Sequence, residues 1–78
     1  MSKFEISIEA GLLMKGQVRR LLEKTKRDLL WNNPQAYVEI YEESYFLESE
    51  FTFRVKNINE VERLALLKYF QKIDQETL

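Results

Sequence analysis

The stretch YVEIYEESYFLESEFTFRV, residues 37–55, decides the fold. Val38 and Ile40 alternate with Tyr37, Glu39 and Tyr41. Farther on, Tyr45, Leu47, Phe51, Phe53 and Val55 alternate with Phe46, Glu48, Glu50, Thr52 and Arg54. A period of two over this length marks strands with one buried face, and aromatic and β-branched residues suit such a surface. Between the two runs, Glu42-Glu43-Ser44 predicts a short hairpin turn, without the Asn-Gly or Asp-Gly that would set its type. Ser49 interrupts the apolar face and predicts either a bulge or a close approach by a helix.

Working outward toward the N-terminus, Phe4, Ile6 and Ile8 alternate with Lys3, Glu5, Ser7 and Glu9, which predicts a third half-buried strand. A helix follows over residues 12–30. Met14, Val18, Leu21, Leu22, Thr25 and Leu29 fall in one stripe on it, while Leu12 and Leu13 lie off that stripe. Gly16 marks the start of the regular helix or a close approach to the sheet. Asn32, Asn33 and Pro34 end it: asparagine tolerates a left-handed cap and proline disfavours helix in the residue before it. Beyond the hairpin, Asn57 followed three residues later by Glu60 reads as a capping box. A second helix then runs to about Ile73, with residues 74–78 expected to fray.

The order strand, helix, strand, strand, helix predicts an α+β fold: a three-stranded sheet with both helices packed on one face. The third strand is the longest and most apolar and takes the centre, giving order 1-3-2, with 1-2-3 as the alternative. Seventy-eight residues, 45% apolar and 32% charged, predict a single domain over 1–78 with a modest core. No apolar run approaches the roughly twenty residues of a membrane span. Met1-Ser2-Lys3 leads directly into a strand pattern, so no signal peptide is expected and the cytoplasm is the expected location.

Composition excludes much chemistry. There is no histidine and no cysteine. Imidazole bases, Ser–His and Cys–His nucleophile pairs, disulfides and ordinary zinc, haem or iron–sulfur ligation are therefore ruled out. Gly11 and Gly16 are the only glycines and cannot form a phosphate-cradling loop. Glu39, Glu48 and Glu50 share the outer sheet face, but a flat open sheet offers no cleft to shift a carboxylate pKa. No enzyme and no cofactor is expected.

Three surfaces remain. Lys15, Arg19 and Lys26 project on one flank of the first helix, and Arg20, Lys24 and Arg27 on the other; six cations can track a phosphate backbone. Glu23 is spaced to pair with Arg27 and Lys26, and Asp28 with Lys24, which favours a salt-bridged solvent face instead. Glu48 and Glu50 replace the basic and aromatic residues that an RNA-reading sheet carries on its central strand. The outer sheet face exposes Tyr37, Tyr41 and Phe46 among charges, the pattern of a protein-binding patch.

The second helix is apolar around most of its circumference. Val61, Ala65 and Tyr69 point one way, Leu66, Phe70 and Ile73 to an adjacent sector, and Leu64 and Leu67 to the opposite side. A helix of this kind is covered on more than one side. The charge is also divided: residues 1–35 hold seven Lys or Arg against four acids, and residues 36–78 five against nine. The sequence thus points to a small non-enzymatic protein–protein interaction module. It would act as an adaptor or regulator, either as a homodimer or with a protein partner, through Leu64, Leu67, Phe70, Tyr37, Tyr41 and Phe46. The alternative is a nucleic-acid-binding module that uses the basic first helix.

Overall fold

The chain runs β1 (Ser2–Gly11), α1 (Lys15–Asn32), β2 (Tyr37–Ser44), β3 (Glu48–Ile58) and α2 (Glu60–Thr77). The computed structural model describes residues 1–77, with side chains through Ile73. The three strands form one antiparallel sheet in the order β1-β3-β2. Thus β1-α1-β2 is a split β-α-β unit with β3 inserted between its strands. Both helices lie on one face, and the fold is α+β as the element order predicts.

The central strand carries the core. Phe51, Phe53, Val55 and Ile58 are buried on β3, joined by Phe4 and Ala10 of β1, Leu22 of α1, and Leu66 and Phe70 of α2. Each such aliphatic or aromatic side chain contributes roughly 1.5–3 kcal/mol on leaving water. Val18, Leu29 and Leu30 pack against this core from α1, so the predicted stripe is largely the one that meets the sheet.

The hairpin turn lies three residues later than its polarity suggests. Residues 45–47 form it, closed by the Tyr45 amide donating to the Glu48 carbonyl at 2.7 Å. In the observed register Val38 faces Val55, Ile40 faces Phe53 and Ser44 faces Ser49. A turn at Glu42-Glu43-Ser44 would have set Ile40 and Val38 beyond reach of β3's apolar residues, so the longer apolar match wins. Tyr45 and Leu47 therefore stand out on the turn instead of facing the core. Glu42, Ser44 and Ser49 occupy inward positions, and Ser49 is in regular pairing, not in a bulge.

The bulge sits at the other end. Between Ser2 and Phe4 of β1, β3 advances three residues, from Ile58 to Val55. The extra residue is accommodated at Asn57, with φ 63°, a left-handed conformation that asparagine tolerates better than most residues. Asn57 is thereby taken out of helix capping. Asn59 caps α2: its Oδ1 accepts from the Glu62 amide at 2.8 Å, and Glu62 Oε1 accepts from the Asn59 amide at 2.9 Å. The capping box is real but shifted by two residues. At the end of α1, Asn33 is extended (φ −141°), not left-handed, as the residue before Pro34 should be. The backbone of α2 continues past the expected end near Ile73 to Thr77, and Leu78 lies outside the described residues.

Candidate interaction surfaces

The sheet selects one stripe of α2. Leu66 and Phe70 turn inward, and the Phe70 ring lies 5.6 Å from that of Phe4 and 5.5 Å from that of Phe53. Phe70, expected at an interface, is 2% exposed and belongs to the intrachain core because β1 and β3 both offer it an aromatic partner. On the side toward α1, Val61, Ala65 and Tyr69 line a groove of about 430 Å³ with Thr25 and Leu29. Leu64 and Leu67 lie on the side away from α1, 45% and 36% exposed. Glu60 and Arg63 share that flank and are ion-paired, and Ser2 Oγ of β1 donates to Glu60 at 2.8 Å. Hydrogen bonds from Arg63 and then Ser2 hold the Glu60 carboxyl down at about 2. The Leu64–Leu67 flank therefore borders the free edge of β1.

The outer sheet face is graded in charge. Across the middle, Arg54 donates to Glu5 at 2.8 Å and stands 3.9 Å from Glu39, with its guanidinium 5.7 Å from the ring centre of Tyr41. Toward one end, Lys56 lies 6.0 Å from the ring centre of Tyr37. Toward the other, Glu9 faces Glu50, which faces Glu43, so three carboxylates stand in one row. Tyr37 and Tyr41 thus share the outer face as expected.

Phe46 does not share it: 91% exposed, it sits in the hairpin turn. Gly11 faces Glu48, so residues 12–14 leave the sheet beside that turn. Leu12, Leu13 and Met14 are exposed there alongside Tyr45, Phe46 and Leu47. A hydrogen bond to Glu43, then desolvation, then the fields of Glu43, Glu50 and Glu48 push the Tyr45 hydroxyl pKa up. This apolar end was hidden in the sequence because Tyr45 and Leu47 fit the alternation of a buried strand. Leu12 and Leu13, off the helical stripe, were its one visible signal.

The six cations of α1 are divided. Lys15, Arg19 and Lys26 lie on the flank toward β2, and Arg19 Nη2 donates to both carboxylate oxygens of Glu42, at 2.7 and 2.9 Å. Ser49 Oγ also donates to Glu42 at 3.2 Å. Arg19 first, helped by Ser49 and Ser44, holds the Glu42 carboxyl below its ordinary pKa, with desolvation opposing them. Arg20, Lys24 and Arg27 face solvent on the opposite side, in line with Trp31, which is 87% exposed. The expected Glu23 and Asp28 pairs do not form: among the described residues the ion pairs are Arg19–Glu42, Arg54–Glu5, Arg54–Glu39 and Arg63–Glu60. Exposed i,i+4 pairs gain only a few tenths of a kcal/mol, too little to hold two long side chains.

Among the described residues no group of three His, Cys, Asp or Glu is arranged to hold a metal, and no helix is long and apolar enough to cross a membrane. No family model, curated protein or solved structure matches the chain.

Proposed function

We propose that this chain is a small non-enzymatic protein–protein interaction module that self-associates, working as an adaptor or regulator in the cytoplasm. The observation that carries the reading is the flank of α2. Leu64 and Leu67 remain partly in water beside the β1 edge, while the intrachain core takes Leu66, Phe70 and Ile73 from α2. A two-fold axis lets one such flank serve as its own partner. Both leucines are already more than half buried, so removing the rest of each from water contributes roughly 0.5–1.5 kcal/mol. The unmodified chain should run as a dimer by light scattering at about 100 μM, a concentration at which interfaces of micromolar affinity are filled. Leu64→Glu with Leu67→Glu should give a folded monomer; a monomeric parent at that concentration would end this reading.

One observation favours a second reading. Arg20, Lys24, Arg27 and Trp31 follow one another at helical spacing along the solvent side of α1, and none of the three cations has an ion-pair partner among the described residues. Cations beside an exposed indole suit single-stranded nucleic acid, with phosphates on the cations and a base on the ring. Sub-micromolar, steeply salt-dependent binding of a single-stranded oligonucleotide, lost in Trp31→Ala, would put this reading first.

A further inference from the structure

β1 is an edge strand ten residues long, with no proline, no bulge of its own and no charge on its inner face, where Phe4, Ile6, Ile8 and Ala10 lie. A long regular apolar edge is a template for another strand. Ile6 and Ile8 are only partly buried although they pack against the core. We infer that this edge pairs with β1 of a second copy, antiparallel about a two-fold axis through Ile6, extending the sheet to six strands in the order β2-β3-β1-β1-β3-β2. The inference rests on the self-association proposed above and names the strand and the register that accompany the α2 flank.

Facing, charge and space together select the occupant and the register. Antiparallel partners must share a face, so only even sums of residue numbers keep the apolar side chains together. A two-fold at Ser7 sets Glu5 against Glu9, and one at Glu5 sets Glu5 against itself; like charges directly opposite are destabilising. A two-fold at Ile6 overlaps the strand from Ser2 to Ala10, sets Phe4 opposite Ile8, and sets Glu5 opposite Ser7.

Charge selects the same register. Lys3 lies beside Lys56 at a shared surface and makes no ion pair among the described residues, while Glu9 faces Glu50 and the Glu43 beyond it. Each end of the β1 outer face is thus repelled within its own subunit. The same two-fold sets Lys3 opposite Glu9 of the second copy, twice, and brings each basic end against the other subunit's acidic row.

Space admits the same pairing. The Phe70 ring packs on both Phe4 and Phe53, so α2 runs above the interval between β1 and β3. With strands at the usual spacing of about 4.8 Å, the two α2 helices then lie about 10 Å apart, an ordinary helix–helix distance. The sides they turn to each other carry Leu64 and Leu67. A two-fold interface closes after two copies, leaving no open-ended chain.

The test uses charge reversal and cross-linking in the full chain. Lys3→Glu and Glu9→Lys are outward substitutions that leave the core untouched. Each alone should weaken the dimer at least about tenfold by sedimentation, and the two together in one chain should restore it to within about threefold. The chain has no cysteine, so Glu5→Cys mixed with Ser7→Cys should give a disulfide-linked heterodimer under mild oxidation, while neither variant alone should cross-link. If the parent is a dimer that Leu64→Glu with Leu67→Glu dissolves, yet the reversals change nothing and the mixed cysteines stay unlinked, the β1 pairing is wrong and the α2 interface stands. If the reversals and the cross-link behave as expected and the leucine variant stays dimeric, β1 pairing stands without α2. A parent that is monomeric overturns both.

Discussion

β1 and β2 are both edge strands, and both turn aliphatic residues toward the helices, yet they end their inner faces differently. β1 continues Phe4, Ile6, Ile8 into Ala10, apolar throughout. β2 begins with Val38 and Ile40 and then turns Glu42 and Ser44 inward, where Arg19 and Ser49 hold the carboxylate. An inward-pointing charge is one of the devices by which proteins close a sheet edge to other strands. Pairing β2 with itself over most of its length would set Glu42 against an aliphatic residue or Glu39 against another carboxylate. The contrast teaches that one edge is defended by its sequence and the other is left available, in a sheet only three strands wide.

The largest expected effect removes what presents the available edge. Phe70 fastens α2 across β1 and β3, and Phe70→Ala should cost about 3–5 kcal/mol in urea titration, the range for deleting a buried phenyl group. A loss under about 1 kcal/mol would mean that α2 is not anchored there.

The comparison can be broken from the other side. Glu42→Val gives β2 an apolar inner edge like that of β1. Arg19 is half exposed and its ion pair is partly solvated, so stability should change little. Association should change far more: a subunit with two open edges grows beyond a dimer, and light scattering should show species larger than two chains. An unaltered size distribution would show that Glu42 does not guard the edge.

Acid should release the same guard. The Glu42 carboxyl is held below its ordinary value of 4.5 by Arg19, then Ser49 and Ser44. A depressed folded pKa gives a contribution that is complete above the unfolded value and is lost as the pH falls through the folded one. New association through β2 should therefore grow in only as the pH drops below about 4.5, the unfolded carboxylate range. Glu42→Gln should lack that acid-dependent step, so parallel scattering traces for the two proteins would contradict the assignment. Glu60, held at about 2 by Arg63 and Ser2, carries the same sign at the β1 end, its contribution lost below pH 4.5 and down to about 2.

How much of this was legible follows from how local each signal is. The alternation in β1, the α1 stripe and the length of β3 are properties of single segments, and they gave the elements, the strand order and the face that the helices cover. The hairpin register is not local. Glu42-Glu43-Ser44 looks like a turn from its polarity, but the register depends on Val38 and Ile40 meeting Val55 and Phe53. Glu42 reads as a turn residue until Arg19, twenty-three positions earlier, is brought over it. Asn57 and Asn59 are equivalent as caps in sequence, and only the bulge opposite β1 assigns them different work. On α2, apolar nearly all round, the inward sector is chosen by Phe4 and Phe53 and not by the helix itself.

The smallest effect is a control that should leave both edges alone. Gly16 lies in the first turn of α1, and a methyl group there would meet only the end of the Arg20 side chain at 3.9 Å. Gly16→Ala should stabilise the chain by about 0.4–1 kcal/mol through the unfolded state, with no change in association. A shift in the dimer equilibrium would show that α1 takes part in an edge contact.

Backbone amide exchange, followed residue by residue at about 1 mM and again at about 1 μM, bears most directly on the difference between the edges; dissociation constants of ordinary self-association fall between these limits. In a lone edge strand every second amide points to solvent and exchanges quickly. At the higher concentration protection should be continuous along β1 from Phe4 to Ile8 and should alternate along β2. On dilution β1 should fall back to alternation while β2 stays as it was. Alternating protection in both strands at both concentrations would contradict the account.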